Sequence, residues 1–202
     1  MPPELTGRYA EPVVPTAGLI LAAGLGSRFR GRKLLIAIGG KPMLQHVLDA
    51  AAGAALDPVA VVLGSDADEL LSACSWRDEI RIVNERPEAG AASSVRLGLA
   101  ALTATSASRA AVLLGDQPFL SRAQITAVAS AVGQIVVPRF AGRSGNPVVL
   151  DRSVWPLAAE LEGDSGFSQL FGAHPGLVTY VDVPGDNPDI DTPADLDDLS
   201  RA

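Results

Sequence analysis

The stretch from Gly18 to Lys33 constrains this chain most. It opens on the apolar run Leu19-Ile20-Leu21-Ala22-Ala23. It then breaks into a loop holding Gly24, Gly26 and Gly31 among the cations Arg28, Arg30, Arg32 and Lys33. A continuous apolar run bounded by glycine predicts a strand buried on both faces of a parallel sheet. Glycines in the loop that follows let the backbone approach a ligand closely, and free N–H groups with nearby cations form a cradle for anions, phosphates above all. The alternative is an ordinary strand-to-helix turn with a solvated basic patch. Two familiar phosphate motifs do not fit. The dinucleotide fingerprint needs a third glycine where Phe29 stands, and the ATPase loop needs Lys-Ser/Thr where Arg32 and then Lys33-Leu34 occur.

The rest of the chain repeats the strand-then-helix alternation. Pro42 to Ala55 reads as a helix with Pro42 in its first turn and Met43, Val47, Leu48 and Ala51 on one face. Val59 to Leu63 reads as a second strand, Asp66 to Cys74 as a helix and Arg81 to Val83 as a short strand. A helix is expected to start near Ser93-Ser94, where the serines either cap free N–H groups or face a ligand over the helix end. Ala110 to Leu114 is an apolar strand ending in Gly115-Asp116. Further on come a helix from Ser121 to Ala131, a strand from Ile135 to Pro138, a helix over Asp151 to Leu161 that Pro156 threatens to break, and a late strand over Leu177 to Val183. Such alternation predicts an α/β fold: one domain, mostly parallel, a Rossmann-like three-layer sandwich. Residues 1–16, with four prolines, read as a loose tail before a domain spanning 17–202.

Composition narrows the function classes. The chain has 202 residues, 48% of them hydrophobic, enough for one well-filled core. Its net charge of −7 argues against a nucleic-acid partner and makes the basic loop a local exception. A single cysteine, Cys74, excludes an internal disulfide and a cysteine-based zinc site, and is expected to be a buried or half-buried thiol. His46 and His174 read as structural. Neither a membrane span nor a signal peptide is apparent, so a cytoplasmic location is expected, with no membrane partner.

Asp116 stands at the end of a central strand, where open parallel sheets place ligands. It suits Mg²⁺, which takes one or two carboxylates with phosphate oxygens and water; a turn-capping role is the alternative. Near the C-terminus, Thr192-Pro193-Ala194-Asp195 is a helix start, and the acidic residues around it would serve equally as a solvated run.

The glycine loop with Gly39-Gly40-Lys41-Pro42 resembles the signature of the nucleotidyltransferases of the GlmU, IspD and molybdenum cofactor type. Later segments bring it closest to the MobA/MocA-like branch, the CTP:molybdenum cofactor cytidylyltransferases. Those segments are Gly90 to Val95, the Gly115-Asp116-Gln117-Pro118 motif, Gly145-Asn146-Pro147-Val148, Gly163-Asp164-Ser165-Gly166 and Asp189-Ile190-Asp191-Thr192-Pro193. The resemblance implies the nucleotide-diphospho-sugar transferase variety of the fold and a Mg²⁺-dependent transfer of CMP from CTP to the phosphate of molybdenum cofactor. It implies that Leu21, Ala22, Ala23, Gly24, Gly26, Ser27, Arg28, Lys33, Gly90, Ser93 and Ser94 hold the nucleotide, with Arg28, Lys33 and Asp116 catalytic. Asp116 and Asp191 would hold the metal, with Asp189 an alternative, and Gln117, Pro118, Gly145 and Asn146 would face the acceptor. Leu21-Ala22-Ala23-Gly24 resembles the cytidylyl members, whereas Leu-Ala-Gly-Gly marks guanylyl ones. Asn146 replaces a usual histidine and Phe167-Ser168 a usual Ala-Arg. A molybdenum hydroxylase apo-enzyme would be the partner. Other readings are a nucleotidyltransferase using GTP or a sugar-phosphate acceptor, an NAD-dependent oxidoreductase, and a cofactor-delivery protein.

Overall fold

The computed structural model describes residues 15–24, 32–164, 166–190, 192 and 195. Residues 1–14, most of the expected tail, lie outside this range, as do Gly26, Ser27, Arg28 and Asp191. The apolar runs become strands: β1 (Thr16–Ala22), the two-residue pair β2 (Ala37–Ile38) and β3 (Lys41–Pro42), β4 (Val59–Leu63), β5 (Ile80–Val83), β6 (Arg109–Leu114), β7 (Ile135–Phe140), β8 (Arg143–Ser144), β9 (Val148–Asp151) and β10 (Val178–Asp182). The helices are α1 (Met43–Gly53), α2 (Ala67–Ala73), α3 (Ala91–Thr103), α4 (Arg122–Ser130) and α5 (Ser168–Ala173).

One sheet has the order β10-β7-β9-β6-β1-β4-β5, with β8 paired to β7. Strand β1 pairs in parallel with β4 and β6, β4 with β5, and β7 with β10. Only β9 crosses this direction among the main strands, antiparallel to both β6 and β7. Two reversals restore the direction, so β1, β4, β5, β6, β7 and β10 all end at one edge of the sheet. The mostly parallel α/β class expected from the sequence is the class observed.

Each face of the sheet carries its own core. Ile20, Val61, Leu63, Leu113 and Val136 pack with Met43, Leu44, Val47 and Leu48 of α1, Leu70 of α2 and Ile125 of α4. Leu19, Val62, Val112 and Val137 pack on the other face with Val95, Leu99 and Leu102 of α3 and with Val154 and Trp155. Gly98 lets α3 lie against β1, since a Cβ there would sit 2.1 Å from a Leu19 methyl. Strands buried on both faces are what the continuous apolar runs required.

Three boundaries differ from expectation. Pro42 does not open α1 but pairs with Ala37 in the small β2–β3 hairpin, and the helix starts at Met43. Residues Arg152–Glu160 form a 3₁₀ run rather than an α-helix. Pro156 lies within it, and a proline removes an N–H and clashes with the preceding turn. Helix α3 starts at Ala91, before the serines, because a distant loop supplies its cap: Ala91 N donates to Asp164 Oδ1 (3.0 Å) and Ala92 N to the Gly163 carbonyl (3.1 Å). Helix α4 does follow expectation, with Ser121 and Gln124 closing a capping box. Among the described residues no helix is long and apolar enough to cross a membrane.

Candidate active site

All the loops that carry expected site residues leave the edge where the parallel strands end. Residues 23–24 follow β1, 84–90 follow β5, 115–121 follow β6, 141–147 follow β7 and include β8, and 183–190 follow β10. Ala22 and Ala23 are buried at the end of β1, Leu21 is half-buried, and Gly24 is exposed. Two glycines flank this strand end. Gly115 N donates to the Leu21 carbonyl at 2.9 Å. A Cβ on Gly115 would lie 3.2 Å from that oxygen, and one on Gly64 would lie 3.0 Å from Ala23 Cα. The small side chains therefore keep the β1 exit tight between β6 and β4, and the loop that follows leaves from a fixed point.

Lys33 sits on a short 3₁₀ turn, Lys33–Leu35, after the glycine loop. Its Nζ donates to Asp116 Oδ2 at 2.7 Å, and the two side chains are 12% and 28% exposed. A lysine from the end of the glycine loop thus meets the carboxylate at the end of the central strand. A partly buried, hydrogen-bonded ion pair of this kind is shielded from solvent more than a surface pair.

The strand-end carboxylate belongs to a wider network. Ile190 N donates to the Asp116 carbonyl at 3.2 Å. Gln117, 3% exposed, donates through Nε2 to Asp189 Oδ1 at 2.6 Å. Asn187 Nδ2 donates to Gln117 Oε1 and to the Asn146 carbonyl, each at 2.9 Å. Asp189 is therefore beside Gln117, and buried Ile190 holds the segment down. Thr192 N donates to Asp195 Oδ2 at 2.6 Å, in keeping with the expected helix start. Pro118 is buried beside this network, and Gly145 is held by a bond from its N–H to the Pro138 carbonyl at 3.1 Å.

The third group is at the start of α3. Asn84 closes β5 and is buried; its Nδ2 donates to Ser93 Oγ (2.8 Å) and Ser94 Oγ (3.0 Å). Ser93 Oγ in turn donates to the Gly90 carbonyl at 2.8 Å. Gly90 adopts φ 87°, ψ 174°, open to glycine alone, and a Cβ there would lie 2.4 Å from the Gly163 carbonyl carbon. The first N–H groups of α3 are taken by Gly163 and Asp164, so this helix end does not present them to an anion. Asn84 fixes both hydroxyls, but only half-buried Ser93 faces the open side, since Ser94 is buried. A cleft of about 530 Å³ opens beside it, lined by Val83, Asn84, Arg86, Ser93, Arg96 and Leu97.

The structure thus brings together Leu21 to Gly24, Lys33, Asp116, Gln117, Pro118, Gly145 and Asn146 on one edge, with Gly90, Ser93 and Ser94 on the same edge toward β5. Gly26, Ser27, Arg28 and Asp191 lie outside the described residues. Sequence reasoning assigned no role to Asn84 or Asn187. A polar residue at a strand end, and an asparagine before Pro188 in an acidic run, were the only signals. His46 and His174 are structural, as expected: His46 Nε2 meets the Ile38 carbonyl at 2.8 Å, and His174 Nε2 meets Glu160 Oε2 at 2.7 Å. Among the described residues there is no cluster of three or more histidine, cysteine, aspartate or glutamate side chains suited to a metal.

The MobA-like NTP transferase domain matches residues 18–185. Among curated proteins, the bifunctional protein GlmU of Mycobacterium avium is 32% identical over 174 residues, covering 82% of this chain and 32% of that protein. The chain thus spans about a third of the length of the curated relatives it matches. Among solved structures, Rv0371c from Mycobacterium tuberculosis H37Rv superposes with a TM-score of 0.84 at 29% identity, covering 94% of this chain and 99% of that one. A manganese complex of Rv0371c from the same organism superposes with a TM-score of 0.80 at 28% identity, covering 93% and 99%. A nucleotidyl transferase from Methanothermobacter thermautotrophicus, at 21% identity and a TM-score of 0.78, shares the fold, covering 91% and 95%.

Proposed function

Since this chain belongs to the MobA-like NTP transferase family, and so to the nucleotidyltransferase enzymes, we propose that it moves CMP from CTP to the phosphate of molybdenum cofactor and releases pyrophosphate. The observation that carries the reading is the Lys33–Asp116 pair, which joins the end of the glycine loop to the end of the central strand.

In the proposed step an oxygen of the acceptor phosphate attacks the α-phosphorus. The new P–O bond forms as the bond from that phosphorus to the bridging oxygen breaks, and pyrophosphate leaves with the electron pair. A phosphate nucleophile is already anionic at neutral pH, so no general base is needed. That suits an edge where both histidines are engaged elsewhere. Rate then comes from positioning and from cationic groups aimed at the developing charge. The loop N–H groups, Arg28 and Lys33 would hold the triphosphate. Lys33, fixed by Asp116, would offset charge on the leaving pyrophosphate.

The donors fit a hard divalent cation. Asp116 is a partly exposed carboxylate at the edge, with the Asp189–Ile190 segment bonded to its own loop. Asp116 and Asp191 would hold Mg²⁺, and the ion would supply Lewis-acid stabilisation of phosphate oxygens. That the Rv0371c relative forms a manganese complex supports a divalent ion here.

The cytosine assignment rests on Leu21-Ala22-Ala23-Gly24, and Ser93, on the wall of the cleft, would offer its hydroxyl to the edge of a base, with buried Ser94 behind it. A second reading is transfer to a sugar phosphate, the alternative acceptor that the resemblance left open, and the match to GlmU relatives keeps it in play. Pyrophosphate release should be measured with CTP, GTP and ATP, with Mg²⁺, against extracted molybdenum cofactor and against a sugar 1-phosphate. Release with CTP and only with molybdenum cofactor supports the proposal. Preference for GTP removes the cytosine assignment, and turnover with the sugar phosphate favours the second reading. A molybdenum hydroxylase apo-enzyme would receive the product.

A further inference from the structure

Asn187 takes part in no step described so far, yet it joins three segments. It is 9% exposed, and its Nδ2 bonds both Gln117 Oε1 and the Asn146 carbonyl. The direction of this amide chain is forced. A carboxylate only accepts, so Gln117 must turn its NH₂ to Asp189 and its carbonyl to Asn187. The Asn146 carbonyl also only accepts. Asn187 therefore faces two acceptors and must present its NH₂ to them. The consequence is visible on its other side: Asn187 Oδ1 is buried and accepts no hydrogen bond among the described residues. Flipping the amide would satisfy nothing, because oxygen would then face two oxygens. A native fold that keeps an unsatisfied buried acceptor sacrifices stability there, and such a group calls for a reason.

The reason lies in what the two donor bonds reach. Gln117 follows Asp116 on the loop after β6, and Ile190, three residues beyond Asn187, bonds the Asp116 carbonyl. Asn146 belongs to the link between β8 and β9, which pair along the same side of β7, opposite β10. We propose that Asn187 is a positioning residue that holds the 141–147 turn in register with the Asp116 edge. The acceptor phosphate is thereby presented to the donor at attacking distance. This rests on the nucleotidyl-transfer reading above, with the 141–147 turn on the acceptor side.

The test uses the whole chain as Asn187→Ala and Asn187→Asp, with two independent readouts. Hydrogen exchange reports the tie itself. In Asn187→Ala the amides of residues 143–146 should exchange faster, while those of β4 stay as in the wild type. Kinetics report its use. CTP affinity, measured by equilibrium binding without acceptor, should stay within about twofold, whereas KM for molybdenum cofactor should rise about ten- to a hundredfold, the penalty of a misplaced reactant. Asn187→Asp, which sets a third acceptor against two others, should be worse than alanine. If Asn187→Ala does not fold, Asn187→Ser, which keeps one donor, should show the same selective rise in smaller degree.

Unchanged exchange at 143–146 overturns the proposal, as does an equal loss of CTP binding and acceptor KM, the sign of general damage. A wild-type chain that transfers to no acceptor overturns the functional reading instead, and the exchange readout then decides the tie by itself.

Discussion

Lys33 Nζ and Asp116 Oδ2 stand 2.7 Å apart although 83 residues separate them in the chain. The contact links the exit of the glycine loop to the end of β6, so each side chain holds the other where phosphate and metal would meet. Asp116→Asn should lower kcat by about a thousandfold or more, because it removes both the carboxylate proposed to hold the metal and the lysine's anchor. Lys33→Met should cost about a hundredfold. The double variant should lose far less than the product of the two, since residues acting as a unit are not additive. Steady-state pyrophosphate release measures all three, and a strictly multiplicative loss would show that the pair does not act together.

Asn84 orients both serines of α3. Asn84→Ala removes the donor to Ser93 and Ser94, leaving Ser93 held only through its bond to the Gly90 carbonyl. If Ser93 faces the base, KM for CTP should rise about threefold to tenfold, the scale of one or two hydrogen bonds, with kcat little changed. An unchanged KM for CTP would confine the two serines to a structural role.

Gly90 has no room for a side chain. Its φ of 87° and ψ of 174° belong to glycine, and a Cβ would lie 2.4 Å from backbone at Gly163. Gly90→Ala should destabilise the fold by about 1–3 kcal/mol from conformation alone, and more from the clash. The loss should appear as a lower denaturation midpoint. The loop at 163–164, which caps α3, should become protease-sensitive.

Asp49 gives the fold a pH signature. Burial pushes its carboxyl up, but hydrogen bonds from Arg77, Lys41 and Gln45 outweigh that and hold it at about 2. A depressed folded-state pKa adds stability that is present above the ordinary value of 3.8 and is lost as pH falls toward 2. Asp49 is partly exposed, so screening reduces the effect to roughly 1 kcal/mol. Asp49→Asn should therefore be less stable than wild type at pH 7 by about that amount, and the gap should close as denaturation is repeated at pH values falling through 3 to 2.

Burial, with the charge of Asp49 nearby, pushes the Cys74 thiol up to about 11. Little thiolate then forms near neutral pH, and thiolate is the nucleophile. Iodoacetamide at pH 8 should leave Cys74 unmodified in the folded chain and modify it fully in guanidinium. Rapid native modification would contradict this burial.

The strands were legible because each is an apolar run stopped by glycine or a polar residue. The place of Asp116 at a strand end was legible because it closes an apolar run, but its pairing with Lys33 was not. What the sequence hid was set by distant partners. The start of α3 is fixed by Asp164, 73 residues away, so local capping preferences placed it too late in the chain, at the serines rather than at Ala91. Asn187 depends on Gln117 and Asn146, 70 and 41 residues away, and no local pattern marks it. The reversed direction of β9 is likewise a matter of sheet assembly, since an apolar run has no direction of its own. Pro156 was a visible warning, and the 3₁₀ run around it is its result.

The placement of β9 has an evolutionary consequence. Strands β7 and β10 reach the donor-side strands β1, β4, β5 and β6 only through this one reversed strand. The sheet therefore has a seam. On the proposed reading, mutations that reshape the turns at the ends of β7 and β10 would explore new acceptors while the nucleotide side stays intact, provided the few bonds bridging the seam near Asn187 survive. A fold divided in this way would then diversify what it modifies without reinventing how it activates a nucleotide.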